Sequence, residues 1–116
     1  MVTHKTMSAD AYKVEIFIGG DYFAALNICE VFCERGLCVT VEPTVYVFKG
    51  GRCEGVRVGL INYARFPSDP INIWATANEL ALDLMEGLGQ GSFTVQDGQT
   101  THFYTRRTED GCDGKW

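Results

Sequence analysis

The apolar positions of this chain follow two periods in turn. From Tyr12 to Ile18 the period is two: Tyr12, Val14, Ile16 and Ile18 share one side, while Lys13, Glu15 and Phe17 share the other. That alternation predicts a half-buried strand. Gly19-Gly20 ends it, and Asp21 stands where a helix N-cap belongs. Across residues 22–35 the period lengthens to that of a helix, with Tyr22, Ala25, Leu26, Cys29, Phe32 and Cys33 on one stripe and Gly36 as the stop. Alternation then returns. Leu37, Val39, Val41, Val45 and Val47 point one way, and Cys38, Thr40, Glu42, Thr44, Tyr46 and Phe48 the other. Pro43 removes a ladder donor, so this second strand is expected at a sheet edge or bulged at that residue. Lys49-Gly50-Gly51-Arg52 reads as a hairpin turn into a third strand from about Glu54 to Tyr63.

Asp69-Pro70 opens a second helix, with Asp as N-cap and Pro in the first turn. Ile73, Trp74, Ala77, Leu80, Ala81, Leu84, Met85 and Leu88 form its apolar stripe, with Gly87 and Gly89 as stop signals. Residues 92–96 and 101–107 read as two more strands joined by the hairpin dipeptide Asp97-Gly98. The order is β-α-β-β-α-β plus one strand. Two strand–helix–strand units around a hairpin give the ferredoxin-like α+β sandwich. The expected sheet order is 2-3-1-4-5 with both helices on one face. A single domain is expected over residues 11–108, with flexible ends at 1–10 and 109–116.

Composition changes this picture little. The 116 residues hold one domain and are enough for a core without staples. Fifteen acidic against ten basic residues give a net charge of −5. That argues against direct nucleic-acid binding, which needs a basic face. The five cysteines cannot all pair within one chain. Cys29, Cys33, Cys38 and Cys53 read as buried free thiols of a reducing compartment. The chain has no signal-peptide pattern and no apolar run long enough for a bilayer, so a cytoplasmic protein without a membrane partner is expected.

Candidate chemistry is sparse. Gly19-Gly20-Asp21 could hold an anion at a strand-to-helix turn, but it matches no phosphate-loop pattern and reads as a capped turn. No C-x-x-C or H-x-x-x-H spacing occurs, and His102 has no nucleophile or orienting acid assigned to it. No catalytic residue, metal or cofactor is therefore expected. The sheet face away from the helices is expected to expose Phe17, Thr40, Tyr46, Phe48, Ile61, Tyr63 and Tyr104. A surface that apolar calls for a cover: a second copy in a dimer or trimer, another protein, or a small ligand. Arg52, Arg57, Arg65, Arg106 and Arg107 could converge on an anion or acidic partner, against the simpler reading of solvated strand ends. Phe17, Tyr46, Phe48, Tyr63, Arg65, Phe66, Tyr104 and Arg106 are accordingly the expected partner-binding residues.

Two resemblances bear on function. The run Arg35-Gly36-Leu37-Cys38-Val39-Thr40-Val41-Glu42-Pro43-Thr44, continued by Val45-Tyr46-Val47-Phe48-Lys49-Gly50-Gly51, is similar in layout to the second and third strands of CutA and PII-like proteins. That resemblance implies a ferredoxin-like trimer acting as sensor or regulator. The segments GLCVTVEPT and GVRVGLINYARFP resemble those of small phage and prophage proteins, which implies a host-directed anti-defence inhibitor acting in the host cytoplasm. The reading reached here is a non-enzymatic, homo-oligomeric regulatory or adaptor domain that acts through its exposed sheet face. Its alternatives are a phage-type acidic inhibitor of a host defence protein, with Glu79, Asp83, Glu86, Glu109, Asp110 and Asp113 available for contact, or a small-molecule enzyme on the same fold.

Overall fold

The computed structural model describes residues 3–106. Seven elements follow one another: β1 (Lys13–Gly19), α1 (Tyr22–Cys33), β2 (Thr40–Phe48), β3 (Gly51–Ile61), α2 (Pro70–Leu88), β4 (Ser92–Gln96) and β5 (Thr101–Thr105). The strands form one antiparallel sheet in the order β2-β3-β1-β4-β5. This is the expected fold and strand order. The expected tail at 109–116 and Arg107 lie outside the described residues.

The alternation in β1 decides which face the helices take. Val14, Ile16 and Ile18 are completely buried, while Glu15 and Phe17 on the other side are half-buried. Val56, Val58 and Leu60 from β3 and Phe93 and Val95 from β4 extend the same buried layer. Ala25, Cys29 and Phe32 of α1 cover it, together with Ile73, Ala77, Leu80, Ala81, Leu84 and Met85 of α2. The two helices also meet each other. A Cβ on Gly87 would sit 2.5 Å from the Ile28 side chain, so Gly87 serves helix packing inside α2. The stop is Gly89, whose φ of 67° closes the helix in the left-handed conformation.

Of the two alternatives expected for β2 at Pro43 the edge position holds, and other local expectations are corrected. β2 is an edge strand and carries no bulge: its pairing with β3 runs unbroken from Thr40↔Gly59 through Pro43↔Val56 to Phe48↔Gly51. An edge position leaves the missing Pro43 donor facing outward, so no bulge is required. The turn itself is shorter than expected, only Lys49 and Gly50, and Gly50 takes φ 95°. Asp69 does cap α2, but through its backbone carbonyl, which accepts from Asn72 and Ile73; its side chain makes no capping bond. Cys38 is exposed and precedes β2, and Cys53 is half-buried and disulfide-bonded, so neither is a buried free thiol. Tyr104 faces the helix side of the sheet and not the bare side, because it pairs with Phe93 and stacks on that buried ring at 5.3 Å.

Candidate functional site

The eight expected partner-binding residues do not form one patch. Phe17, Tyr46 and Phe48 lie on the bare sheet face and are half-buried there. Tyr46 is held most closely. Its ring lies over Gly55, where an added Cβ would be 2.7 Å from the ring and 2.4 Å from the Ile18 carbonyl. Its hydroxyl donates to the Val56 carbonyl at 2.6 Å, and burial pushes its pKa up to about 12. Tyr63 and Phe66 stack at 5.2 Å beyond the end of β3, with exposed Arg65 between them in sequence. Arg106 is bound to α2, pairing with Glu86 at 2.7 Å and donating to the Gln90 carbonyl at 3.0 Å.

Among the described residues, Arg57 and Arg106 are each engaged by carboxylates of the fold. Arg57 sits on the bare face between Glu15 (3.3 Å) and Glu42 (3.2 Å), and Arg35 pairs with Glu79 (2.9 Å). The Arg57 pairs break up the apolar character of the bare face, while Arg35–Glu79 joins the turn after α1 to α2; each contributes little stability. Ile61 and, unforeseen, Phe103 remain 45% and 50% exposed.

The described residues leave several hollows, two of them adjoining through Tyr12, Pro70, Asp97 and Gln99. The first, beside Leu37, Cys38, Tyr63, Phe66 and Ile73, holds only about 70 Å³, too little for a metabolite. In it the Cys38 thiol donates to the Tyr63 hydroxyl at 3.4 Å, and that hydrogen bond heads the causes that raise the Tyr63 pKa. The second runs between the start of α2 and the β4–β5 turn, beside Tyr12, Pro70, Ile71, Trp74, Asp97 and Gln99, and measures about 360 Å³. Its acid already serves the fold. Asp97 accepts from the Gln99 and Thr100 amides at 2.8 and 2.7 Å and from the Tyr12 hydroxyl at 2.9 Å. The backbone bonds, first among them that of Gln99, lower the Asp97 pKa; burial, then the Asp97 bond, raises that of Tyr12 to about 12.

The third hollow, about 330 Å³, lies where β1 passes into α1 under the β2–β3 hairpin. Gly20 takes φ 131° there, and its amide donates to the Glu54 carbonyl at 3.0 Å, fixing the junction to the hairpin base. A side chain at Gly20 would meet Leu88 at 3.0 Å, so both backbone geometry and space call for glycine. Asp21 caps α1 by accepting from the Ala24 amide at 2.9 Å, the capped turn that was expected. That cap aims Tyr22 and Phe23 into the hollow, edge to face at 5.3 Å, with Phe23 71% exposed. Opposite them stand Pro43, Val45 and Glu54. Among the described residues the Glu54 carboxylate makes no hydrogen bond or ion pair, in contrast to Asp97. An aromatic pair facing an unpartnered carboxylate suits a flat organic cation.

Sequence reasoning missed this site. Two local signals pointed toward it: the Gly19-Gly20-Asp21 turn, read as a capped turn, and Phe23, a large aromatic beside Tyr22 but off the apolar stripe of α1.

No protein-family model and no curated protein matches the chain. Two solved structures do match. One is a phage SAM lyase in the apo state, with a TM-score of 0.67 and 12% identity. The other is a phage SAM lyase in complex with S-methyl-5′-thioadenosine, with a TM-score of 0.59 and 13% identity. Each match covers 94% of this chain and 100% of the lyase chain. This likeness supports the phage part of the sequence resemblance; the CutA and PII-like part is not shown.

The reading as a non-enzymatic regulatory or adaptor domain is corrected by these matches, since both are enzymes. The physical reason is that pattern alone reports a covered and an uncovered sheet face; it carries no sign of a hollow closed between a helix start and a hairpin. No helix among the described residues is long and apolar enough to cross a membrane.

Proposed function

We propose that this protein is a small lyase acting on S-adenosylmethionine, at the hollow between the β1–α1 junction and the β2–β3 hairpin. The observation that supports this most is the shared architecture over the full length of a phage SAM lyase. The ligand in the second structure, S-methyl-5′-thioadenosine, defines the bond at issue. It retains the methyl and adenosyl groups, so the bond that breaks joins sulfur to the amino-acid side chain. The bonding electron pair goes to sulfur, which changes from a sulfonium cation to a neutral thioether. The side-chain carbon gains a bond in exchange: the substrate's own carboxylate oxygen closes on it to form a lactone as the bond to sulfur breaks, so the step balances with neither water nor an oxidant. What the site must supply is a held, oriented substrate.

The residues present fit that task. Tyr22 and Phe23 offer ring faces for the adenine and for the sulfonium. Gly20 and Gly55 line the floor of the hollow, their missing side chains making room for Leu88 and for the Tyr46 ring. A phage-type protein of this activity would deplete a metabolite that methylation-based host defences consume, which joins the enzyme reading to the anti-defence alternative. Self-association belongs to the proposal as well: Ile61 and Phe103 leave apolar surface on the bare sheet face for a second copy.

Incubation of the purified chain with S-adenosylmethionine tests the function, with liquid chromatography and mass spectrometry as the readout. S-methyl-5′-thioadenosine is expected to accumulate, and more slowly with Phe23→Ala. If neither turnover nor binding is detected with the folded protein, the proposal is wrong. Native mass spectrometry tests self-association.

A further inference from the structure

We infer that Glu54 is a specificity-determining carboxylate that captures the cationic substrate and discriminates against the neutral product. The inference rests on the lyase reading above and goes beyond it by assigning a charge-reading role to one side chain. Register places Glu54 opposite Val45, on the same side of the hairpin as Phe23 and the start of α1. It is exposed at the rim of the hollow, and its carboxylate, unlike its backbone carbonyl, has no partner among the described residues. The other carboxylate of the hollow, Asp21, has one oxygen committed to the Ala24 amide. Arg52, two residues before Glu54 on the same side of the strand, does not line the hollow.

Charge changes during the reaction in a way that Glu54 can read. S-adenosylmethionine carries a sulfonium, an ammonium and a carboxylate, a net charge of +1. When sulfur takes the electron pair of the broken bond, S-methyl-5′-thioadenosine is released with no charge. A carboxylate at the rim attracts the substrate and is indifferent to that product. As the positive charge on sulfur declines toward the transition state, the attraction weakens. Glu54 therefore favours the bound ground state and cannot speed the bond cleavage itself. Its contribution appears in KM, and its loss leaves kcat no lower. Because the group is exposed, the effect is modest and screened by salt.

The test is steady-state kinetics of the full chain and of Glu54→Gln at several salt concentrations, with inhibition by S-methyl-5′-thioadenosine measured alongside. The expected outcome is a drop in kcat/KM of about two- to fivefold, the size of an exposed ion pair, carried by KM. The salt dependence of KM flattens, and the inhibition constant of S-methyl-5′-thioadenosine does not move. Glu54→Lys raises KM further and reverses the salt dependence, while thermal melts of both variants report on folding. A fall in kcat at constant KM overturns the inference and makes Glu54 a catalytic group. A parallel weakening of the neutral inhibitor also overturns it, pointing to shape instead of charge. If the wild-type chain makes product and Glu54→Gln matches it, only this inference fails. If the wild-type chain makes none, the lyase reading fails first and takes the inference with it.

Discussion

Val56 and Val58 on β3 are completely buried, whereas Val45 and Val47 on the neighbouring β2 are 53% and 79% exposed. All four are valines in alternating strands, and all four point to the helix side of the sheet. They differ in what lies above them. Over β1, β3 and β4 the helices supply Phe32, Leu80, Leu84 and their neighbours. Toward the hairpin turn α1 has only begun, and the strands extend past it. Identical side chains thus stabilise the fold at one end, while at the other Val45 lines a hollow and Val47 is left bare. The contrast shows that an apolar face becomes core only where a second layer reaches it. Where the layer stops, the same face is available to a ligand.

The largest expected effect separates the two regions directly. Ile16→Ala, under both helices, is expected to cost about 2–5 kcal/mol in chemical denaturation, because it empties a closed core. Val47→Ala on the overhang is expected to change stability by less than about 0.5 kcal/mol. Equal losses at the two positions would break the comparison.

A smaller effect is expected at the boundary, where Gly55 admits the Tyr46 ring. Gly55→Ala forces a methyl against the Ile18 carbonyl and the Tyr46 ring and is expected to cost about 1–3 kcal/mol in the same assay. Gly50→Ala, at the exposed turn, has open space around its Cβ; its cost comes from the positive φ alone and is expected near 1 kcal/mol.

Thiol reactivity sharpens the same contrast kinetically. Cys29 is buried, and burial pushes its pKa up to about 12; burial also raises Cys33. Cys38 is exposed. Alkylation of the native protein, followed by mass spectrometry, is expected to modify Cys38 first and Cys29 last, since the thiolate is the reacting form. Early labelling of Cys29 would mean that α1 does not stay closed over the core.

The smallest expected effect comes from pH. Tyr12 and Asp97 join the strand entering β1 to the β4–β5 turn. The folded pKa of Tyr12 is raised, so its contribution to stability is complete below pH 10 and disappears as pH rises toward about 12. The folded pKa of Asp97 is lowered from 3.8, so its contribution is present above that value and is lost as pH falls through the folded pKa. Thermal melts of Tyr12→Phe against the wild-type chain are expected to differ between these limits and to converge beyond them. A difference that persists unchanged at both extremes would show that the hydrogen bond is not the cause.

Architecture was legible because it repeats. The period-two runs, the helical stripes, Asp21 as a cap and Asp97-Gly98 as a turn each recur over several residues and each constrain their neighbours. Tyr104 was misplaced because residues 101–105 are all exposed at a sheet edge. An exposed strand gives no alternation from which to assign a face. The hollow was illegible for a different reason: its residues come from positions 20–23, 43–45 and 54–55. Each piece alone has an ordinary explanation as a cap, an edge strand or a strand start.

By itself the amino-acid sequence determined the elements, their order and the identity of the buried stripe, because hydrophobic periodicity is a local property of the backbone conformation. Only the tertiary structure decided how far the helices reach along the sheet, and therefore which valines are core and that Val45 lines the hollow. It also decided that Glu54 stands opposite Phe23. Those outcomes depend on distances between segments remote in the chain, and no local pattern records them.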